Sequence, residues 1–417
     1  MPSDTEPSAS VRPHGEGRVE DQSGCDLLRP ETVEAPPLGS PSKSSPPASG
    51  TVYDLGSVQL RRLCGATGLH ERADQILALF RELADLCGDR DIALPPRWSA
   101  VGADCTPYEF SLEIRPDRLG LRFLVEAQAD PASPRTYWSA ADRLNEWLAE
   151  KCGVDLGPFR LLEDLFAPSD DALHAATAHA VGFGVDSPPL FKLYLNPLAR
   201  GRTRAAVTVS EALGRLGFDA VVPPLLAMCG PEDVFSHFSL DLFAGPTARV
   251  KIYIKHFNAT PTELDARCAA VDPSTRGEWA TFVGTVLGEQ SSLSLRPVYS
   301  AYHLTVEAPD RLQHTALHLP IQPYIDNDLI AHRRIRNFLV RCGLPTEAYA
   351  QCLNALASRP LEREQGIHGH VSYQRVQGSP RVAIYFGSRA YHDRHGWLSL
   401  DPQRRWPELC WPSPVRD

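Results

Sequence analysis

The chain has 417 residues, 43% of them hydrophobic, and a formal net charge of −9. That charge argues against a general nucleic-acid binder, and no run of about 18 apolar residues exists to form a membrane-spanning helix. The 10 cysteines are scattered singly, without C-x-x-C or a Cys/His spacing typical of zinc, which reads as reduced thiols in a cytoplasmic protein.

Residues 1–50 are dominated by Pro, Ser, Gly and charge. They cannot bury enough apolar surface to offset the entropy of ordering and read as a disordered leader. Globular texture begins near Val52 and runs to about residue 395 as a single domain, with 396–417 as a tail. Helical periodicity is expected over 53–88, 138–152, 159–173, 203–216, 261–287, 327–341 and 345–357. Between these lie alternating segments that read as strands: 108–114, 121–127, 178–184, 190–196, 235–243, 249–256, 298–306, 315–324, 369–374 and 381–388. The strands come in adjacent pairs, each followed by helices, which is not the β-α-β-α rhythm of a parallel doubly wound sheet. The expected fold is α+β: a ten-stranded antiparallel barrel of five α-β-β-α repeats, apolar outside against the helices and polar inside. An open sandwich fits less well, because its polar face would simply be solvated.

Lysine is rare, with Lys192, Lys251 and Lys255 falling in two look-alike strands, Phe191–Leu195 and Arg249–Lys255. Successive strand side chains point to opposite faces. Lys192 and Tyr194 therefore share one face of the first strand, and Arg249, Lys251, Tyr253 and Lys255 one face of the second. An isolated Lys-x-Tyr is usually a solvated face with its cation paired to a carboxylate. Two matching segments plus Arg122, each backed by a continuous apolar face, point instead to cations converging in a wet interior. His318 and Gln322 occupy the corresponding positions of the fourth pair. Such a cluster calls for an anion, and a diphosphate suits Arg clamps and Lys point charges. Tyr194, Tyr253, Tyr324 and Tyr385 recur in these strands, so an allylic cation formed at the diphosphate could be stabilised by their faces. The chain has no G-x-x-x-x-G-K-[ST] loop, no G-x-G-x-x-G after a strand and no D-D-x-x-D cluster to hold diphosphate through magnesium; Asp170-Asp171 lacks the third carboxylate.

Several ordered segments resemble the dimethylallyltryptophan synthase-type aromatic prenyltransferases, in particular the bacterial indole and tryptophan branch. They are Thr106–Ser111, Leu121–Glu126, Phe191–Pro197, Arg249–Tyr253, His318–Tyr324 and Val382–Tyr391, with Asp241 in an S-x-D-L segment. Together they span roughly 53–392. The resemblance implies a five-repeat barrel and a prenyltransferase of the alkyl-transfer class. It implies that prenyl diphosphate is bound by Arg122, Lys192, Tyr194, Arg249, Lys251, Tyr253, Gln322, Tyr324, Tyr385 and Tyr391. Glu109 would accept the indole N–H, and His179 is a possible base. No metal would be obligatory, with Mg2+ at most a stimulant. The implied partners are dimethylallyl diphosphate and an indole-containing small molecule, with no nucleic acid or membrane, on a monomer or homodimer. Gln322 stands where relatives often carry Lys or Arg, and His370 where they commonly carry tyrosine. A phenolic acceptor, a non-catalytic anion-binding barrel and a helix-covered interaction scaffold remain as alternatives.

Overall fold

Ten antiparallel strands close on themselves in the computed structural model, which describes residues 50–94, 99, 101–102, 104–168 and 177–391. The expected leader, apart from Gly50, the expected tail and the Asp170-Asp171 segment lie outside these residues. The strands are β1 (Tyr108–Ile114), β2 (Leu119–Glu126), β3 (Ala178–Gly184), β4 (Ser187–Leu195), β5 (Val234–Asp241), β6 (Arg249–His256), β7 (Val298–Thr305), β8 (His314–Pro320), β9 (His368–Val376) and β10 (Ser379–Gly387). Each pairs with its sequence neighbours, and β1 closes onto β10 with Ser111 opposite Tyr385. All five hairpin turns therefore lie at one end of the barrel, and the helical connections begin and end at the other.

Local chemistry sets the element ends. Ser133 and Thr136 form a capping box before the helix Pro134–Cys152, which stops at Gly153 in the left-handed conformation, φ 64°. Thr260 and Glu263 do the same for Pro261–Ala269. Gln377 and Gly378 both have positive φ, as a two-residue hairpin between β9 and β10 requires. The apolar core is the layer between the outer barrel face and the helices. Phe80 of the helix Ala73–Leu83 packs against Tyr108, Phe110 and Phe123, with ring centroids 5.3, 5.9 and 5.4 Å away. Burying each such ring contributes about 1.5–3 kcal/mol. The neighbouring helix Val52–Ala66 approaches so closely that a Cβ on Gly56 would stand 2.7 Å from Phe80.

The structure corrects several sequence expectations. The periodic stretch 261–287 breaks into Pro261–Ala269 and Glu278–Leu287, because Asp272-Pro273 starts a separate turn. Over 159–173 the described part holds only single turns, the second being Glu163–Phe166, and a short helix at Val222–Ala227 was not anticipated. Strand β8 ends at Pro320, so Gln322 and Tyr324 fall beyond it. His179 pairs with Val125 on the outward face of β3. Tyr391 lies past the end of β10 and is buried in the core between barrel and helices.

Candidate active site

At the hairpin end the inner face is strongly cationic. Glu113 on β1 accepts from Arg115 at 2.8 Å and from Arg122 at 3.2 Å, and is also bridged by Arg381 of β10. Burial alone would raise the Glu113 carboxyl, but these guanidinium groups outweigh it and hold the group well below its usual range. Next to this cluster, Asp241 of β5 binds Lys192 and, at 2.7 Å, Arg249. Its carboxyl is likewise held low, the two cations overcoming burial. Lys251 is 7% exposed and has no carboxylate partner among the described residues. Burial, with Lys192, Arg249, Arg381 and Arg122 nearby, pushes its ammonium well below the ordinary lysine value. Beside it, the imidazole Nε2 of His303, the amide nitrogen of Gln374 and the hydroxyl of Ser239 are buried without hydrogen-bond partners. A site with this much positive charge and this many idle polar atoms is built to receive an anion with several oxygens.

The middle of the barrel is aromatic. Tyr253 stands between Tyr194, at 6.1 Å, and His318, at 5.6 Å. From there a closed ring of alternating tyrosine and histidine runs across the wall. His318 lies 5.8 Å from Tyr385, Tyr385 6.4 Å from His370, His370 6.0 Å from Tyr299, Tyr299 6.1 Å from His237, and His237 5.7 Å from Tyr253. Burial pulls His237 and His318 down to about 3 and His370 well below its ordinary value, so all three imidazoles are neutral near pH 7. This wall and the facing residues Glu109, Ser111, Arg122, Leu124 and Glu126 enclose a cavity of about 160 Å³.

Glu109 closes the cavity toward the helix end. It carries no hydrogen bond from the described residues, and burial pushes its carboxyl up to about 8 against the opposing charges of Arg122 and Arg296. Glu109 also lines a smaller side pocket with Arg296, Gln322 and His370. Lys255, the last inner-face residue of β6, lies 5.4 Å from the centre of the Tyr299 ring.

The structure thus gathers Glu109, Arg122, Lys192, Tyr194, Arg249, Lys251, Tyr253 and Tyr385 around one barrel interior. It moves four other expected residues away. His179 donates or accepts at 2.8 Å with Asn145 of the helix Pro134–Cys152, outside the barrel, so its imidazole cannot reach the cavity. Tyr324 is displaced by the end of β8; its hydroxyl donates to the Arg296 carbonyl at 2.8 Å and accepts from the Arg296 N–H at 3.0 Å. His318 takes its expected place in the aromatic wall. Gln322 lies in the side pocket near Glu109, not among the hairpin-end cations. Tyr391 packs with the outer core. Sequence reasoning did not single out Glu113, Arg381, His237, Tyr299, His303 or Arg296. A signal was available for two of them, since Glu113 has the same strand parity as Glu109 and His237 the same as Asp241; Arg296 lies on an irregular segment that carries no such signal.

No family model matches the chain. Among solved structures it is similar to 6-dimethylallyltryptophan synthase from Micromonospora olivasterospora in complex with DMASPP and Trp, with TM-score 0.77, 32% identity and coverage of 82% of this chain and 98% of that one. The prenyltransferase PriB, in a ternary complex with L-tryptophan and dimethylallyl thiolodiphosphate, matches with TM-score 0.75, 30% identity and coverage of 82% and 97%. The 5-dimethylallyltryptophan synthase from Streptomyces coelicolor gives TM-score 0.75 and 26% identity over 82% and 99%.

Proposed function

The chain belongs to the dimethylallyltryptophan synthase-type aromatic prenyltransferases, and from that premise we propose that it transfers a dimethylallyl group from dimethylallyl diphosphate to the indole ring of L-tryptophan or a tryptophan-derived molecule. The observation that carries this reading is the order of groups along the barrel axis. Cations occupy the hairpin end, aromatic rings the middle, and an isolated carboxylate the helix end.

In this reading the carbon–oxygen bond of the donor breaks and its electron pair leaves on the diphosphate. Arg122, Lys192, Arg249 and Lys251 meet the negative charge as it develops, which is electrostatic catalysis by pre-placed groups. These side chains take the charge-neutralising role, so no metal is obligatory. The allylic cation lies against Tyr194, Tyr253 and Tyr385, whose faces stabilise it by roughly 0.5–2 kcal/mol per ring. His318 completes the wall and helps to keep water out. A ring carbon of the indole forms the new carbon–carbon bond while Glu109 accepts a hydrogen bond from the indole N–H. The ring proton then leaves to a neutral imidazole of the cavity wall, and aromaticity returns.

The test is incubation of purified protein with dimethylallyl diphosphate, L-tryptophan and EDTA, with detection of a mass gain of one prenyl unit. No product with any indole in an acceptor panel would sink the assignment. A phenolic acceptor needs no N–H acceptor, so its prenylation at an undiminished rate by Glu109→Gln would favour that alternative. Lys251→Ala is expected to raise the KM for the donor; unaltered donor kinetics would remove Lys251 from the site.

A further inference from the structure

Two of the three cavity histidines follow directly on a β-bulge. The register of β5 against β6 shifts between Phe235 and His237, leaving Ser236 as the extra residue, and β9 does the same against β10 at Gly369, just before His370. A bulge bends its strand and re-aims a neighbouring side chain, and bulges concentrate next to active sites. At Ser236 the extra residue also supplies an anchor. Its hydroxyl donates to the Tyr253 carbonyl at 3.4 Å, so its oxygen is left to accept, and Nδ1 of His237 lies 3.1 Å from it. Nδ1 therefore carries the ring proton and Nε2 the lone pair. Nε2 has no hydrogen-bond partner among the described residues, and the ring lines the central cavity, 5.7 Å from the Tyr253 ring. The other two imidazoles are less suited to take up a proton. His318 has no hydrogen bond among the described residues to fix its tautomer, and Lys251 and Arg122 are the leading charges that oppose a proton on it. On His370 the leading opposing charge is Arg296, and Nε2 is buried without a partner. On His237 it is Lys255, from the far end of β6. Finally, β5 lies four strands from β1 one way round the barrel and six the other, so Glu109 and His237 stand on nearly opposite walls of the same cavity.

We propose that His237 is the catalytic base that takes the proton from the alkylated ring carbon, with Ser236 as the positioning residue that fixes its tautomer. This inference rests on the prenyltransferase reading and assigns its last step to one side chain. Once the new carbon–carbon bond has formed, the ring is a cation that still carries a C–H bond at the alkylated carbon. That bond breaks, its electron pair returns to the ring, and the proton bonds to Nε2. The imidazolium passes the proton to water as product and diphosphate leave. Such a ring C–H is far more acidic than an imidazolium, so an imidazole that burial has made a weak base suffices. The same weakness keeps Nε2 unprotonated until the ring cation forms. Two acceptors on opposite walls thus divide the work: Glu109 takes the N–H bond that stays, and His237 takes the C–H proton that goes.

The experiment compares ordinary L-tryptophan with L-tryptophan deuterated at every ring carbon. In His237→Phe, which keeps a ring in the wall but no lone pair, turnover should fall by about 10²–10⁴-fold, the range for losing a general base. The deuterium isotope effect on kcat should rise above its wild-type value, because loss of the ring proton becomes rate-limiting. His318→Phe and His370→Phe are expected to slow turnover without that rise. Ser236→Ala leaves the imidazole and removes its anchor; it should slow turnover less, with a smaller rise, and stands in if His237→Phe folds poorly. An unmoved isotope effect in His237→Phe, or in Ser236→Ala where it stands in, would overturn the assignment, as would a larger rise in the His318 or His370 variant. A second measurement needs no turnover. Nitrogen-15 NMR of histidine-labelled wild type, with the His237 signals identified by their loss in His237→Phe, should show hydrogen on Nδ1 and none on Nε2; the opposite tautomer overturns the proposal. No product from the wild type with any indole would remove the prenyltransferase reading and the base with it, whereas an active wild type with an unmoved isotope effect in the variant removes the base alone.

Discussion

Glu109 and Glu113 stand on the same face of the same strand, one turn of the side-chain pattern apart from Ser111, yet they are opposite in character. Glu113 is held by Arg115, Arg122 and Arg381 and keeps its charge at any ordinary pH. Glu109 has no such partner, and burial pushes it up to about 8. One carboxylate organises cations at the hairpin end; the other is left unsatisfied at the helix end, where a donor from a ligand would complete it. Neighbours, and not residue type, decide which glutamate is scaffold and which is available for chemistry.

The comparison can be broken in several ways. The largest effect is expected from Glu109→Gln, which should lower turnover by roughly 10²–10³-fold, the range for losing a charge-stabilising group, with little change in the urea unfolding midpoint. Glu113→Gln should do the reverse in kind. Removing one partner of a near-buried ion cluster is expected to destabilise the fold by about 3 kcal/mol, read from urea unfolding. If Glu109→Gln proved the more destabilising of the two, the contrast would fail.

The pH profile sharpens the same point. The ionised form of Glu109 is the stronger acceptor of an N–H, and its raised value means that this form grows in as pH increases. Thus kcat/KM should rise about tenfold per unit below pH 8 and level off above it, and the slope should vanish in Glu109→Gln. At the other end, Lys251 is depressed by burial and by its cationic neighbours, and a bound diphosphate reverses that environment. Diphosphate binding should then be accompanied by proton uptake, measured by calorimetry in buffers of different ionisation enthalpy. Lys251→Met should diminish the uptake. The smallest effect is expected at His179. His179→Ala removes the bond to Asn145 and should cost about 1 kcal/mol of stability, with turnover within about twofold of wild type.

Much of the barrel was legible because period-2 alternation survives wherever one face is polar. Arg249, Lys251 and Tyr253 read correctly for that reason, as did the fivefold pairing of strands. The errors have physical causes. On β3 the inner face carries Ala178, Ala180 and Gly182, so both faces are apolar or small and parity around His179 is unreadable. Along His318–Tyr324 the alternation runs on past the end of β8, and periodicity does not say where hydrogen bonding stops; Pro320 and Pro323, which lack N–H donors, were the available signal. The Tyr–His ring was not legible at all, since its six members come from six different strands, β5 to β10, and meet only when those strands are paired.

The placing of every hairpin turn at one end has a consequence for how such a protein can change. The turns run from two residues, at Val185-Asp186 and Gln377-Gly378, to eight, between Thr305 and His314, so little connecting chain stands beside the cation cluster. The long crossovers at the opposite end, which carry Arg296 and Gln322, can vary in length and sequence without disturbing a single strand register. Diversification, by natural drift or by segment exchange in the laboratory, is thereby steered toward one substrate while the handling of the other is inherited almost intact.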